Sequence, residues 1–230
     1  MQSRNAAVAF ITIVITLIGH GTSFGDSRQS YFSITEGMQR EYRQIIINSG
    51  VQTTGKVTTK TLKERNLNGI NVIPIDYKLE SGGWISFIAF NNEGGYFYAN
   101  QTMMQESPVI IKEPRYFIKY PIAKGTKWII NSSTTRLKQG VPIQMNYEIE
   151  SLEDTVTVPA GTFNNCMKIR AIGSAKKDIG GSRIADVKKE HVIWYASGIG
   201  FIKEMVNESS NNNILGPEGK MFVELESFKN

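Results

Sequence analysis

Two side chains stand out by type as possible centres of chemistry. Cys166 is the only cysteine, and His191 is the only histidine beyond an N-terminal leader at 1–25. One of each cannot build a zinc cage of thiolates and imidazoles. A Ser-His-Asp hydrolase would have to recruit His191, and no Gly-x-Ser-x-Gly elbow follows the leader. His191 lies in Lys188-Lys189-Glu190-His191-Val192-Ile193-Trp194-Tyr195. Alternation there puts His191 on one strand face with Ile193 and Tyr195, while Val192 and Trp194 point the other way. A lone strand histidine of this kind reads as hydrogen-bonded or exposed rather than catalytic. Cys166 falls in a strand-like run and reads as a buried, inert thiol. No intrachain disulfide can form.

Paired carboxylates are the next candidates. Glu148 and Glu150 alternate, and Glu153 is followed by Asp154. Glycoside hydrolysis needs two carboxyls facing each other across a cleft. Glu148 and Glu150 share a strand face instead and read as solvated. A calcium loop of the Asp-x-Asp-x-Asp-Gly type is absent, and Gly82-Gly83 and Gly180-Gly181 lack the phosphate-cradling patterns. No metal, no cofactor and no catalytic residue is therefore expected.

The binding signal is apolar. Trp84-Ile85-Ser86-Phe87-Ile88-Ala89-Phe90 is almost continuously hydrophobic, and Tyr96-Phe97-Tyr98 follows a short turn. Such a strand is either covered on both faces or forms one wall of an apolar pocket. The pocket reading names Trp84, Phe87, Phe90 and Tyr96 as ligand contacts.

The elements that must position these groups are strands. Short runs rich in Val, Ile, Thr, Tyr and Phe alternate with Gly, Asn, Pro and Ser clusters, and helical periodicity is hard to find. Candidate strands lie at 39–48, 54–64, 70–79, 84–91, 95–101, 108–119, 127–136, 141–151, 154–158, 164–173, 187–196, 200–207 and 219–228. Without intervening amphipathic helices they should pair antiparallel. The expected fold is all-β: one strongly curved antiparallel sheet or two packed sheets. The Lys-rich run Gly55–Lys63 suits a protected edge strand.

Several turns are legible. Val158-Pro159-Ala160-Gly161 reads as a tight turn with Pro159 setting the bend and Gly161 at positive φ. Ala196-Ser197-Gly198-Ile199-Gly200 reads as a hairpin, with Gly198 and Gly200 as its turn residues. Phe32-Ser33-Ile34-Thr35-Glu36-Gly37 resembles Tyr120-Pro121-Ile122-Ala123-Lys124-Gly125: an aromatic, an Ile two on, then Gly37 or Gly125 ahead of a strand. Two related halves, about 31–118 and 119–230, follow from this spacing within a single domain at 26–230.

The leader has three parts: Arg4, the apolar run Ala6–Ile18, and Ser23-Phe24-Gly25 as a small-x-small cut site. A spanning helix needs about 20 apolar residues and this run offers about 13, so a cleaved signal helix is expected rather than an anchor. No cysteine lies near the cut, which excludes lipid attachment there. The mature chain should be exported, periplasmic or extracellular, soluble and not transmembrane. A net charge of +5 is spread along the chain without the basic block that nucleic-acid binding requires. The densest cluster, Lys176-Lys177, Arg183 and Lys188-Lys189, surrounds a Gly-Gly turn and reads as a solvated loop.

Four segments in series carry a resemblance. They are Tyr31-Phe32-Ser33-Ile34-x-x-Gly37, Tyr120-Pro121-Ile122-x-x-Gly125-x-x-Trp128, Thr155-Val156-Thr157-Val158-Pro159-Ala160-Gly161-Thr162-Phe163-x-x-Cys166 and Trp194-Tyr195-Ala196-x-Gly198-Ile199-Gly200. The series resembles a group of uncharacterised bacterial exported proteins, a domain of unknown function with YFPLxxGxxW, TVTVPAGTFxNC and WYAPGVGLVK-type motifs. Ser33 replaces the usual Pro, and Arg40 the usual Trp. The resemblance implies an exported β-rich protein and no particular activity.

The leading expectation is a non-catalytic exported β-protein that binds a partner or an envelope component. It predicts that aromatics fill the core and that no pocket gathers titratable groups. The alternative is a periplasmic carrier of an apolar ligand, a lipid or a lipoprotein. A hydrolase is the second alternative.

Overall fold

Alternation is strict from Pro142 to Ile149: Ile143, Met145, Tyr147 and Ile149 are buried, and the residues between them face outward. That period of two makes a strand with one wet and one dry face, and it recurs along most of the chain. The computed structural model describes residues 31–32 and 34–229. The expected leader at 1–25, and with it the signal helix, lies outside the described residues.

Among the described residues thirteen strands follow one another: β1 (Gln39–Asn48), β2 (Val51–Thr61), β3 (Arg65–Leu67), β4 (Ile70–Leu79), β5 (Gly82–Phe90), β6 (Gly94–Thr102), β7 (Val109–Lys119), β8 (Lys127–Ser133), β9 (Pro142–Val158), β10 (Gly161–Asp178), β11 (Ile184–Ala196), β12 (Gly200–Ser210) and β13 (Glu218–Lys229). All pairs are antiparallel, in the order β7-β6-β5-β4-β2-β1-β13-β12-β11-β10-β9-β8, with β3 beside β4. Of the two arrangements expected, the chain adopts one strongly curved sheet. It curls until its two ends meet, where Trp128 Nε1 on β8 donates to the carbonyl oxygen of Tyr116 on β7 at 3.0 Å.

Three expectations need correcting. The Lys-rich strand is not an edge: β2 lies between β1 and β4. The sheet's edges are β7 and β8, which face each other at the seam. The segments expected at 141–151 and 154–158 form one strand, because irregular register between Phe163 and Ile169 on β10 lets β9 continue past Glu153-Asp154. The Lys176–Lys189 cluster is not all loop, since Lys189 is a buried β11 residue.

The turn glycines Gly37, Gly125, Gly161, Gly198 and Gly200 all have positive φ, and Val158 pairs with Gly161 across the Pro159-Ala160 turn. The resemblance between the segments before β1 and β8 has a structural counterpart. Gly37 and Gly125 both have φ +89°, a conformation that disfavours any side chain. Gly37 N donates to Thr61 O while Thr61 N donates to Met38 O. In the same pattern, Gly125 N donates to Ile149 O while Ile149 N donates to Thr126 O.

The inner face is filled over β8–β11 by Trp128, Met145, Ile149, Met167, Ile169 and their neighbours. Phe32, ahead of β1, inserts among Phe90, Phe117 and Tyr195, with ring centroids at 6.1, 5.3 and 5.1 Å. Elsewhere Leu137, Val141 and Leu215 cover the inward-facing Ala185 and Val187 of β11. Between these packed regions the interior is open.

Candidate functional site

Residue parity on β5 explains its apolar run. Trp84 and Ile88 face inward and line the interior cavity. Trp84 Nε1 donates to Ser86 Oγ at 3.1 Å, and Ser86 Oγ donates to Asn100 Oδ1 at 2.9 Å. Phe87 and Ala89 face outward into a second cluster with Val72 and Ala99, which Leu67 of β3 packs against. The Arg65 guanidinium sits 4.6 Å from the centre of the Phe87 ring. The strand is thus covered on both faces and also forms a pocket wall.

The four aromatics expected as contacts therefore separate. Trp84 lines the cavity. Phe90 packs beside it, in the core cluster that holds Phe32 and Phe117. Phe87 and Tyr96 belong to the outer cluster, and Tyr96 also meets the Tyr116 ring at 5.5 Å.

The cavity has a volume of about 440 Å³, within the range of about 300–1,000 Å³ common for small-molecule sites. Every strand except β3 and β10 contributes to its wall, as do Phe32 and Ile34. Aromatic rings dominate: Tyr42, Tyr77, Trp84, Phe97, Phe117 and Phe201 all line it. Tyr77 and Trp84 are stacked, with centroids 4.7 Å apart and planes within 5° of parallel. A wider groove of about 590 Å³ runs beside Lys176, Asp186, Lys188 and Ser209. It is a furrow of mixed polarity along the strand ends of β10–β12, and no aromatic ring lines it.

Titratable groups do converge in the interior, contrary to the expectation for a filled core. Tyr147 OH lies 3.1 Å from His191 Nδ1, and His191 Nε2 lies 2.6 Å from Glu204 Oε1. Burial, reinforced by the charge of Glu204, pushes the Tyr147 phenol up to about 12, against the opposing influence of Arg115. Burial likewise lifts Tyr77 to about 12. Tyr147 is thus a neutral donor, and the network assigns its proton to His191 Nδ1 and the Nε2 proton to Glu204. This is a hydroxyl–imidazole–carboxylate chain: the raised phenol is by itself a poor nucleophile, and His191 Nδ1 is the adjacent base within reach of its proton.

Two guanidiniums complete the charged lining. Arg40 is buried, and burial pulls it below its ordinary value; its Nε donates to Ile199 O at 2.9 Å. That bond ties the start of β1 to the β11–β12 hairpin. Arg115 differs in being exposed, and it forms part of the cavity wall at the β7 edge.

An ion pair on the same two strands provides a contrast. Lys189 Nζ lies 3.0 Å from Glu208 Oε1 and donates to Ser133 O at 2.8 Å. Glu208 also accepts from the backbone of Thr135 at 2.8 Å and of Arg136 at 2.6 Å. Its side chain is 0% exposed, whereas that of Glu204 is 23% exposed. The Lys189–Glu208 pair is sealed and saturated. The His191–Glu204 pair faces the cavity.

The shared face of His191, Ile193 and Tyr195 is legible from alternation, and all three line the cavity. Glu204, Tyr147 and Arg115 are not singled out by sequence, and Arg40 stands out there only as a replacement for the usual Trp. The legible hairpin at Gly198 brings β12 beside β11, but irregular register at Trp194/Tyr195 sets Ile193 opposite Glu204. Glu148 and Glu150 stay on the outer face, paired with Lys127 at 3.2 Å and Lys168 at 2.7 Å. The Lys168 contact, followed by that of Arg170, holds the Glu150 carboxyl below its usual range, against the opposing effect of burial. Cys166 is buried, and burial raises its thiol.

No protein family matches this chain, and no curated protein matches it. Two solved structures are similar to it. A candidate lipoprotein from Parabacteroides distasonis is 15% identical with a TM-score of 0.47, over 87% of this chain and 99% of that one. A candidate exported protein with a YmcC-like fold from Bacteroides fragilis is 14% identical with a TM-score of 0.44, over 88% of this chain and 100% of that one.

Proposed function

We propose that this protein is an exported, non-catalytic binding protein that holds an apolar ligand inside its curled sheet. The aromatic-lined cavity of about 440 Å³ carries the reading. Curling the sheet closed leaves interior volume that side chains either fill or leave for a ligand. Here Met145, Ile149, Met167 and Ile169 fill one part, while Trp84, Tyr77 and Phe97 surround the other. The few polar groups at its wall suit orientation of a ligand more than its chemical conversion.

The outer face supports a protein that works in water. It carries ion pairs such as Lys56–Glu41, Lys168–Glu150 and Arg170–Glu190. A barrel that spans a bilayer presents an apolar band to lipid instead. Among the described residues no helix is long and apolar enough to cross a membrane. The leader at 1–25 supports export.

Native mass spectrometry of the full chain, expressed with its leader, tests the reading. The expected result is a co-purifying apolar molecule that is released by organic extraction. Binding of added apolar probes to the extracted protein should then change the fluorescence of Trp84. Extracted protein that binds no apolar probe would remove the proposal.

The Tyr147–His191–Glu204 chain favours a second reading, the hydrolase. There His191 acts as a general base, oriented by Glu204. Ester turnover by the wild-type chain that disappears in His191→Ala would support it. No turnover over a panel of acyl esters would leave binding as the function.

A further inference from the structure

The charged groups around the cavity are unequal in number and in access. Arg40 and Arg115 supply two positive charges, and Glu204 supplies one negative charge already engaged by His191. The balance favours an anion over a cation. Arg40 is buried and bonded to the β11–β12 turn. Arg115 is exposed, lines the cavity, and makes no ion pair with any described residue. A residue that is both exposed and part of the wall marks the place where the cavity reaches solvent.

That place is the seam. The strands β7 and β8 end the sheet path and share no backbone ladder, and Trp128 Nε1 bonds to Tyr116 O across them. Arg115, Tyr116 and Phe117 on one side, and Ile130 and Ser132 on the other, all border the cavity. Behind them lie the rings of Phe97, Tyr77 and Trp84.

Building on the binding role proposed above, we infer that the ligand is an anionic amphiphile: an acyl chain lies in the aromatic interior, and its acid headgroup sits against Arg115 at the β7–β8 seam. A guanidinium offers a planar fork of donors that matches a carboxylate or phosphate. To a neutral ester the same group offers only an ordinary hydrogen bond to the carbonyl oxygen, without the charge attraction or the two-pronged match. The chain is held by area burial alone, so it contributes equally to acid and ester.

Fluorescence titration with oleate, oleoyl lysophosphatidic acid and methyl oleate, all below their micelle concentrations, tests the inference. Wild-type protein is expected to bind at least one of the two acids roughly tenfold more tightly than the ester, a difference of the size a charge-assisted contact gives. Arg115→Ala should erase that preference, and Arg115→Lys should keep most of it. Whichever acid binds more tightly identifies the headgroup as carboxylate or phosphate. Thermal melts of both variants should match wild type, because Arg115 is exposed. Equal affinity for acids and ester, or an acid preference that survives Arg115→Ala, overturns the inference and leaves the apolar binding role intact. Failure of all three probes to bind removes both.

Discussion

Trp128 and Tyr116 join the two ends of the sheet: the indole nitrogen of one donates to the carbonyl oxygen of the other at 3.0 Å. Trp128 is buried, and its ring stacks on Tyr147 at 5.4 Å. The same side chain therefore fastens the seam and backs the His191 chain. Trp128→Phe keeps an aromatic ring and removes the donor. The lost bond should cost about 1 kcal/mol, or about 2–4 °C in melting temperature for a domain of this size, and the void left by the smaller ring adds to it. Hydrogen exchange should rise in β7 and β8 and stay unchanged across the β1–β13 ladder. A uniform rise over all strands would mean that the seam is not held by this bond.

The two carboxylate contacts between β11 and β12 should respond very differently to loss of charge. Glu208→Gln leaves Lys189 buried without its counter-ion and weakens the hold on the 134–136 loop. Breaking one partner of a buried pair costs about 3–5 kcal/mol. Glu204→Gln keeps a hydrogen-bonding group beside His191 at a partly wet position, so its cost should stay within about 1 kcal/mol. Urea unfolding of the two variants measures both. Similar losses would show that the Glu204 pair is as structural as the Glu208 pair.

Strand content was legible because the alternation is strong. The limits expected at 39–48 and 70–79 coincide with β1 and β4. Gly37 and Gly125 were legible because positive φ leaves little choice of residue. Long-range pairing was not. Nothing local to Gly55–Lys63 tells whether a strand lies at an edge or at the centre, because that depends on where the sheet closes. The β3 strand was missed because Arg65–Leu67 is too short to show a period. The cavity was half visible. The apolar run at Trp84–Phe90 signalled coverage on both faces, but alternation alone did not say which face met a void. Glu204 was invisible for another reason: its meeting with His191 depends on a register irregularity at Trp194/Tyr195 that leaves no mark in composition.

Cys166 should be chemically silent in the native state. The thiol is buried, and desolvation and then the nearby Asp154 raise its pKa, with a backbone bond to Val156 opposing them. Alkylation requires the thiolate and access to it. Iodoacetamide at mildly alkaline pH should leave the native protein unmodified and label it fully in denaturant, as read by intact mass. Rapid native labelling would place Cys166 at a site that opens readily and would contradict its packing against Val156 and Ile202.

Alkaline pH should destabilise the fold through its interior phenols. Tyr77 and Tyr147 are both raised from an ordinary value of 10.0 to about 12, chiefly by burial. Burial also raises Tyr42 and Tyr195. A phenol raised in the folded state favours folding fully below its unfolded pKa. Between about pH 10 and about pH 12 the unfolded chain releases the proton and the native chain keeps it, so stability falls as pH rises. Melting temperature should therefore drop steeply over that window, and phenolate absorbance should appear together with loss of β-structure. Lysine side chains in general deprotonate in this part of the pH scale, and Tyr77→Phe separates the two causes. The variant should show a shallower pH slope than wild type. An unchanged slope would assign the alkaline transition to the lysines.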